Sequence, residues 1–218
     1  MASVPLLVLD NVGCDKGHTV LLDGIHFTLN AGDLLHVKGP NGCGKTTLLR
    51  VLAGLDRQYR GQLRWQGQDI RRCQDTYATH VLYLGHQPAL KARLTARENL
   101  DWYARCCHAT TQAVDQALAH LGMTQRADLP AHLLSAGQQR RTVLARLLFS
   151  PHRLWILDEP ITALDHSAYA PVMAALGEHL SRGGIAVLTT HHATEQITLP
   201  HRSLNLAPVE HVAAEPSA

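Results

Sequence analysis

The chain has 218 residues, 45% of them hydrophobic and 17% charged, with a formal net charge of +2. That is enough for one well-filled α/β domain with room for a small inserted subdomain. No apolar run approaches the roughly 18 residues of a membrane-spanning helix. Met1-Ala2-Ser3-Val4-Pro5 lacks the layout of a signal peptide, so a cytosolic product is expected. Five cysteines without C-x-x-C spacing argue against a disulfide framework, and the fifteen histidines fall in no zinc or haem-attachment pattern. They read as scattered surface residues. Arg71-Arg72 and Arg140-Arg141 are short pairs on solvated helix faces rather than a basic stripe, so no nucleic-acid partner is expected.

In chain order, residues 4–9 predict a strand. The alternation of Ile25, Phe27 and Leu29 predicts a half-buried second strand within 21–29. A turn at Asn30-Ala31-Gly32-Asp33 then feeds a third apolar run, Leu34, Leu35 and Val37. It leads into Gly39-Pro40-Asn41-Gly42-Cys43-Gly44-Lys45-Thr46, which fits the phosphate-binding pattern G-x-x-x-x-G-K-[ST]. Thr47 to Leu52 then reads as a helix. Backbone N–H groups of such a loop wrap phosphate oxygens, and the helix aims its positive dipole end at them. Lys45 reaches the β- and γ-phosphates, and the Thr46 hydroxyl ligates Mg²⁺. Cys43, beside Lys45, reads as a small residue at a permissive position.

Gln62 to Asp69 predicts a short strand and turn, and residues 80–85 another strand, ending at Gln87. From about 88 to 134 the pattern becomes helical. Thr95-Ala96-Arg97-Glu98 is a capping-box start, and 111–121 is amphipathic. Ser135 caps a helix expected to run to about Phe149. Residues 154–158 and 185–190 predict continuously apolar strands around a helix at 166–180, the pattern of a parallel sheet covered on both faces. The tail from 208 is expected to fray.

Leu154 to Leu157 end in Asp158-Glu159, carboxylates suited to holding Mg²⁺ and polarising an attacking water. Leu134-Ser135-Ala136-Gly137-Gln138 places small residues and a hydroxyl at a helix start, where free N–H groups make an anion site. Ser135 lies 90 residues after Lys45 and 23 before Asp158.

With these motifs in this order, the chain resembles an ABC-type ATPase subunit over nearly its whole length. Lys45 and Thr46 match Walker A, Gln87 the Q-loop glutamine, and Ser135-Ala136-Gly137-Gln138 the signature. Asp158-Glu159 match Walker B, Ala163-Leu164-Asp165 the D-loop, and His191 the switch histidine. Finer strings are similar to the ATP-binding subunit of the cytochrome c maturation exporter, or haem exporter. They are Gly85-His86-Gln87-Pro88, residues 94–100, residues 134–141, Trp155 to Pro160, and Thr189-Thr190-His191. The signature departs from the commoner pattern by carrying Ala136 in place of glycine. No aromatic residue stands near Lys16, where adenine is usually stacked; His18 is the nearest flat side chain.

The resemblance implies a P-loop core with a parallel sheet flanked by helices, a small antiparallel β-layer and an inserted helical subdomain. The core would be 1–87 and 135–207. ATP and Mg²⁺ would be bound by residues 39–47, with Thr46, Gln87 and Asp158 at the metal, Glu159 as general base and His191 on the γ-phosphate. Two copies would pack head to tail, Ser135 and Gly137 of one covering ATP on the other. The partners implied are integral membrane subunits at the cytoplasmic face of the bacterial inner membrane, with no direct haem binding by this chain. Competing readings are an exporter with another cargo, a non-transport ABC ATPase, and a P-loop kinase. The kinase leaves the signature unexplained, and the chain has a single P-loop and no heptad run.

Overall fold

The computed structural model describes residues 5–17, 19–162, 164–190 and 197–208. Among these, two sheets and a set of helices are layered. The first sheet is antiparallel, in the order β2-β1-β4-β5, with β1 Leu7–Lys16, β2 Thr19–Leu29, β4 Arg60–Trp65 and β5 Gln68–Asp69. The second is parallel throughout, in the order β6-β7-β8-β3-β9. Its strands are β3 Leu34–Lys38, β6 Val81–Leu84, β7 Leu154–Leu157, β8 Ile185–Thr189 and β9 Arg202–Asn205.

The continuously apolar strands follow from burial on both faces of the parallel sheet. Leu154 and Ile156 of β7, with Ile185 and Val187 of β8, join the core shared with the antiparallel sheet and α1 Lys45–Leu52. Their alternates Trp155, Leu157, Ala186 and Leu188 join the opposite core. That second core is roofed by α3 Ala96–Cys106, α4 Thr111–His120, α5 Ala136–Leu144 and α6 His166–Ser181. Helices α3 and α4 lie in the chain between β6 and β7, and Leu100, Val114 and Leu118 are fully buried there. The capping box at Thr95 is formed: Thr95 Oγ1 accepts from Glu98 N at 3.1 Å, and Glu98 Oε2 from Thr95 N at 2.8 Å.

Several expected boundaries are corrected. β1 runs on to Lys16, carried through register shifts in its pairing with β2 after Leu9. The helix after Ser135 leaves α geometry at Leu144 and tightens into a 3₁₀ turn over Ala145–Leu148. A short helix, α2 Gln74–Ala78, and the edge strand β9 complete the chain. His18, Ala163, His191 and the tail from 209 lie outside the described residues.

Candidate functional site

The phosphate-binding loop joins β3 to α1, and its glycines are required by close approach. Gly44 has φ 95°, and a Cβ there would stand 2.6 Å from the Leu21 carbonyl oxygen. Gly39 has φ 149°, and a Cβ would meet Cys43 Sγ and the Leu206 carbonyl oxygen at 2.5 Å. Cys43 is buried and wedged inside the loop. Gly44 caps α1 without a side-chain bond, and the first turn holds no acidic residue. The first amides and the positive end of the helix are therefore left for an anion.

Lys45 is 8% exposed, and its ammonium donates to the carbonyls of Gly39 at 2.6 Å and Pro40 at 2.9 Å. Pro40, Asn41 and Gly42 are exposed at the loop's tip. From the next residue, Thr46 Oγ1 donates to Asp158 Oδ2 at 3.0 Å. The other oxygen of Asp158 accepts from Thr189 Oγ1 at 2.7 Å, and Thr189 Oγ1 in turn accepts from Glu159 N at 3.0 Å. One hydrogen-bonded line thus joins α1, the end of β7 and the end of β8.

Glu159 is the turn out of β7, left-handed at φ 52°, and its carboxylate stands 3.3 Å from His86 Nδ1. Gln87, next to His86, is exposed beyond the end of β6. Thr46 and Thr47 border a groove of about 810 Å³, which Lys16, Leu21 and Arg50 also line. No aromatic ring lines it among the described residues.

A separate concavity of about 520 Å³ lies at the signature, lined by Ser135, Gly137, Gln138, Arg126, Arg141 and Asp165. Ser135 and Gln138 form a reciprocal capping box, at 3.3 Å from Gln138 N to Ser135 Oγ and 3.0 Å from Ser135 N to Gln138 Oε1. Ala136 is exposed on the helix's first turn. Asp165 caps α6, accepting from Ala168 N at 3.1 Å, and pairs with Arg141. The Ser167 hydroxyl that donates to it, with the Arg141 charge, holds its carboxyl below the usual range.

Two groups expected on solvated faces, Arg140 and His36, are corrected. Arg140 is buried at 6% exposure, donating to the carbonyls of Gly85, Asp158 and Glu159. Arg71, exposed as expected, lies over the Tyr59 ring and donates to backbone carbonyls. His36 is buried in β3, its Nε2 3.1 Å from Thr190 Oγ1 and its ring edge-on to His201. Burial, with Lys38 and His201 adding to it, lowers its pKa to about 4. Sequence reasoning also passed over Thr189, a polar residue closing an apolar strand, which is the signal that marks it.

Among the described residues no group of three or more His, Cys, Asp or Glu side chains could hold a metal by itself. A magnesium site at phosphates asks less: one or two protein oxygens, with waters and substrate supplying the rest. The Thr46 hydroxyl and Asp158 carboxylate, in contact beside the phosphate loop, fit that demand.

A P-loop between a parallel strand and a helix, an acidic pair at the end of β7 and a capped signature helix define an ABC-type nucleotide-binding subunit. The family model described as ABC transporter matches residues 22–162. Two solved structures share the fold: an ATP-binding subunit of an ABC transporter, with TM-score 0.76 and 23% identity, covering 85% of this chain and 79% of that one, and an ABC transporter ATP-binding protein from Pyrococcus furiosus, with TM-score 0.78 and 21% identity, covering 92% and 96%. The cytochrome c biogenesis ATP-binding export protein CcmA of Methylococcus capsulatus is 46% identical over 209 residues, 95% of this chain and 100% of the relative. The Escherichia coli K12 protein of that name is 46% identical over 178 residues, 82% and 85% of the two chains. The chain belongs to this family of ABC transporter ATP-binding proteins.

Proposed function

We propose that the chain is the ATP-hydrolysing subunit of an ABC exporter acting in cytochrome c biogenesis, coupling ATP binding and hydrolysis to integral membrane subunits in haem delivery. The relatives' names support the process. The chemistry rests on one observation, the hydrogen-bonded line Thr46–Asp158–Thr189–Glu159.

ATP enters with its phosphates on the backbone N–H groups of the loop 39–47, in which Pro40 alone has none, and the Lys45 ammonium exchanges the Gly39 and Pro40 carbonyls for β/γ-phosphate oxygens. Thr46 and Asp158, with Gln87, are the residues that would hold Mg²⁺, which when bound neutralises developing charge on the phosphates. Glu159 takes the proton of the attacking water as that water's oxygen bonds to the γ-phosphorus, and ADP leaves. His191, outside the described residues, is assigned to the γ-phosphate by the family resemblance alone.

The signature concavity and the groove beside Thr46 and Thr47 share no lining residue. This favours a head-to-tail pair in which Ser135, Ala136, Gly137 and Gln138 of one copy cover the nucleotide of the other. The Asp165 turn lies at the edge of that same concavity. Residues 88–134 form the helical subdomain of a single ATPase domain spanning 1–218, and its first part faces the membrane subunits. Among the described residues no helix is long and apolar enough to cross a membrane. In this reading the chain is held by those partners at the cytoplasmic face of the inner membrane, with neither haem nor nucleic acid expected among its own ligands.

Glu159→Gln is the test. Turnover should fall by roughly 10²–10⁴ while phosphate contacts survive, leaving an ATP-bound pair visible by gel filtration. Unchanged hydrolysis by the purified variant would remove Glu159 from the role of general base.

A further inference from the structure

Arg140 stands on the helix that the signature opens, yet its guanidinium does its bonding at the far end of the parallel sheet. One nitrogen donates to the Gly85 carbonyl at 2.9 Å; the other donates to the carbonyls of Asp158 and Glu159, each at 2.7 Å. These are charge-assisted bonds made out of water, with Arg140 6% exposed. The acceptors are the residue that roots the Q-loop and the two residues of the Walker B acidic pair.

Glu159 is a non-glycine residue at φ 52°, a conformation that persists only when its surroundings over-determine it. Its carbonyl is held from two sides, by Arg140 and by Thr162 N at 3.3 Å, and its amide by Thr189. The Asp158 peptide is tied to β6 by the bond from its N–H to the Leu84 carbonyl at 2.8 Å. Any shift of α5 relative to β7 must therefore carry the Glu159 backbone with it or break these bonds.

We propose that Arg140 is a positioning residue for the general base: it fixes the Glu159 peptide in its left-handed turn and ties that turn, and the root of the Q-loop, to the signature helix. The signature helix and the catalytic carboxylate are then one mechanical unit, so a displacement of α5 reaches Glu159 without passing through nucleotide. The inference rests on Glu159 being the general base.

The test uses the full chain with Arg140→Met and Arg140→Lys, reading kcat and KM for ATP, ADP affinity and thermal midpoint. Misplacing a catalytic group by about 1 Å costs up to roughly 10²-fold in rate. Arg140→Met should accordingly lower kcat by about 10- to 100-fold with KM and ADP affinity within about two-fold of the original. Arg140→Lys keeps the charge but not the three-way fork, and kcat should fall by several-fold and less than with Met. Where the Met variant fails to fold, the Lys variant decides alone: wild-type kcat overturns the proposal. A rise in KM with kcat unchanged also overturns it.

On a Glu159→Gln background Arg140→Met should lower turnover no further, because its effect runs through a base already removed. An additional loss there overturns the proposal. Full turnover in Glu159→Gln alone instead shows that the general-base reading has failed.

Discussion

Lys45 spends two of its three donors inside the phosphate loop, on carbonyls that a nucleotide must displace. Removing it deletes charge-assisted contacts worth about 1.5–3 kcal/mol, so Lys45→Ala should weaken ATP binding by roughly 10- to 100-fold in a calorimetric titration. Undiminished affinity would contradict the loop's assignment. His36 makes a prediction about pH. Its folded pKa, about 4, lies below the ordinary value of 6.5, so the fold favours the neutral ring. That contribution is complete above about pH 6.5 and is lost as pH falls toward about 4, amounting to about 3 kcal/mol at the acid end. His36→Leu should flatten the decline of the urea midpoint between those pH values; a decline as steep as the original's would assign it to other groups, such as His152 and His179, whose pKa values burial also lowers.

At the scale of elements, the helix starts carry the most information. The Ser135–Gln138 box means that Ser135→Ala removes both a cap, about 1 kcal/mol, and the hydroxyl of a residue lining the signature concavity. Thermal melting should report the first loss, and hydrolysis by the paired protein the second. On the segment after Gln87, Arg97 is engaged with Asp115 and Asp128, so reversing its charge breaks the fold's own contacts. Lys91 instead lies over the ring of Trp102, which is 50% exposed. The better probe of membrane coupling is therefore Lys91→Glu with Trp102→Ala. The double variant should co-sediment less with membranes carrying the partner while ATP binding survives. Equal co-sedimentation places the coupling surface elsewhere.

For the whole molecule, the legibility of the sequence follows the range of the interactions. Gly39 to Thr46 and Ser135 to Gln138 are contiguous, so the phosphate loop and the helix cap can be read locally, while the signature's part in a second copy's site enters only through the family resemblance. β7 and β8 are legible because both faces are buried, which leaves an unbroken apolar run. β9 is not: Arg202, Ser203 and Asn205 are exposed on an edge strand, with Leu204 alone facing inward. Arg140 could not be distinguished from a surface arginine, because its acceptors stand 18, 19 and 55 residues away in sequence. At this scale the chain should pellet with membranes only when its integral partner is co-expressed, and remain in the supernatant when expressed alone. Sedimentation of the chain by itself would contradict attachment through a partner.

The separation of the groove beside Thr46 and Thr47 from the signature concavity also has a genetic consequence. If each copy lends its signature to its neighbour, a damaged copy is not merely idle: it occupies a place beside an intact one and spoils a site it does not itself contain. A cell making equal amounts of normal and Ser135-altered chains would hold only about a quarter of its pairs wholly normal, given random two-fold pairing. Such an allele should behave as dominant, depressing cytochrome c assembly even with the normal gene present, whereas a truncated chain unable to pair should be recessive.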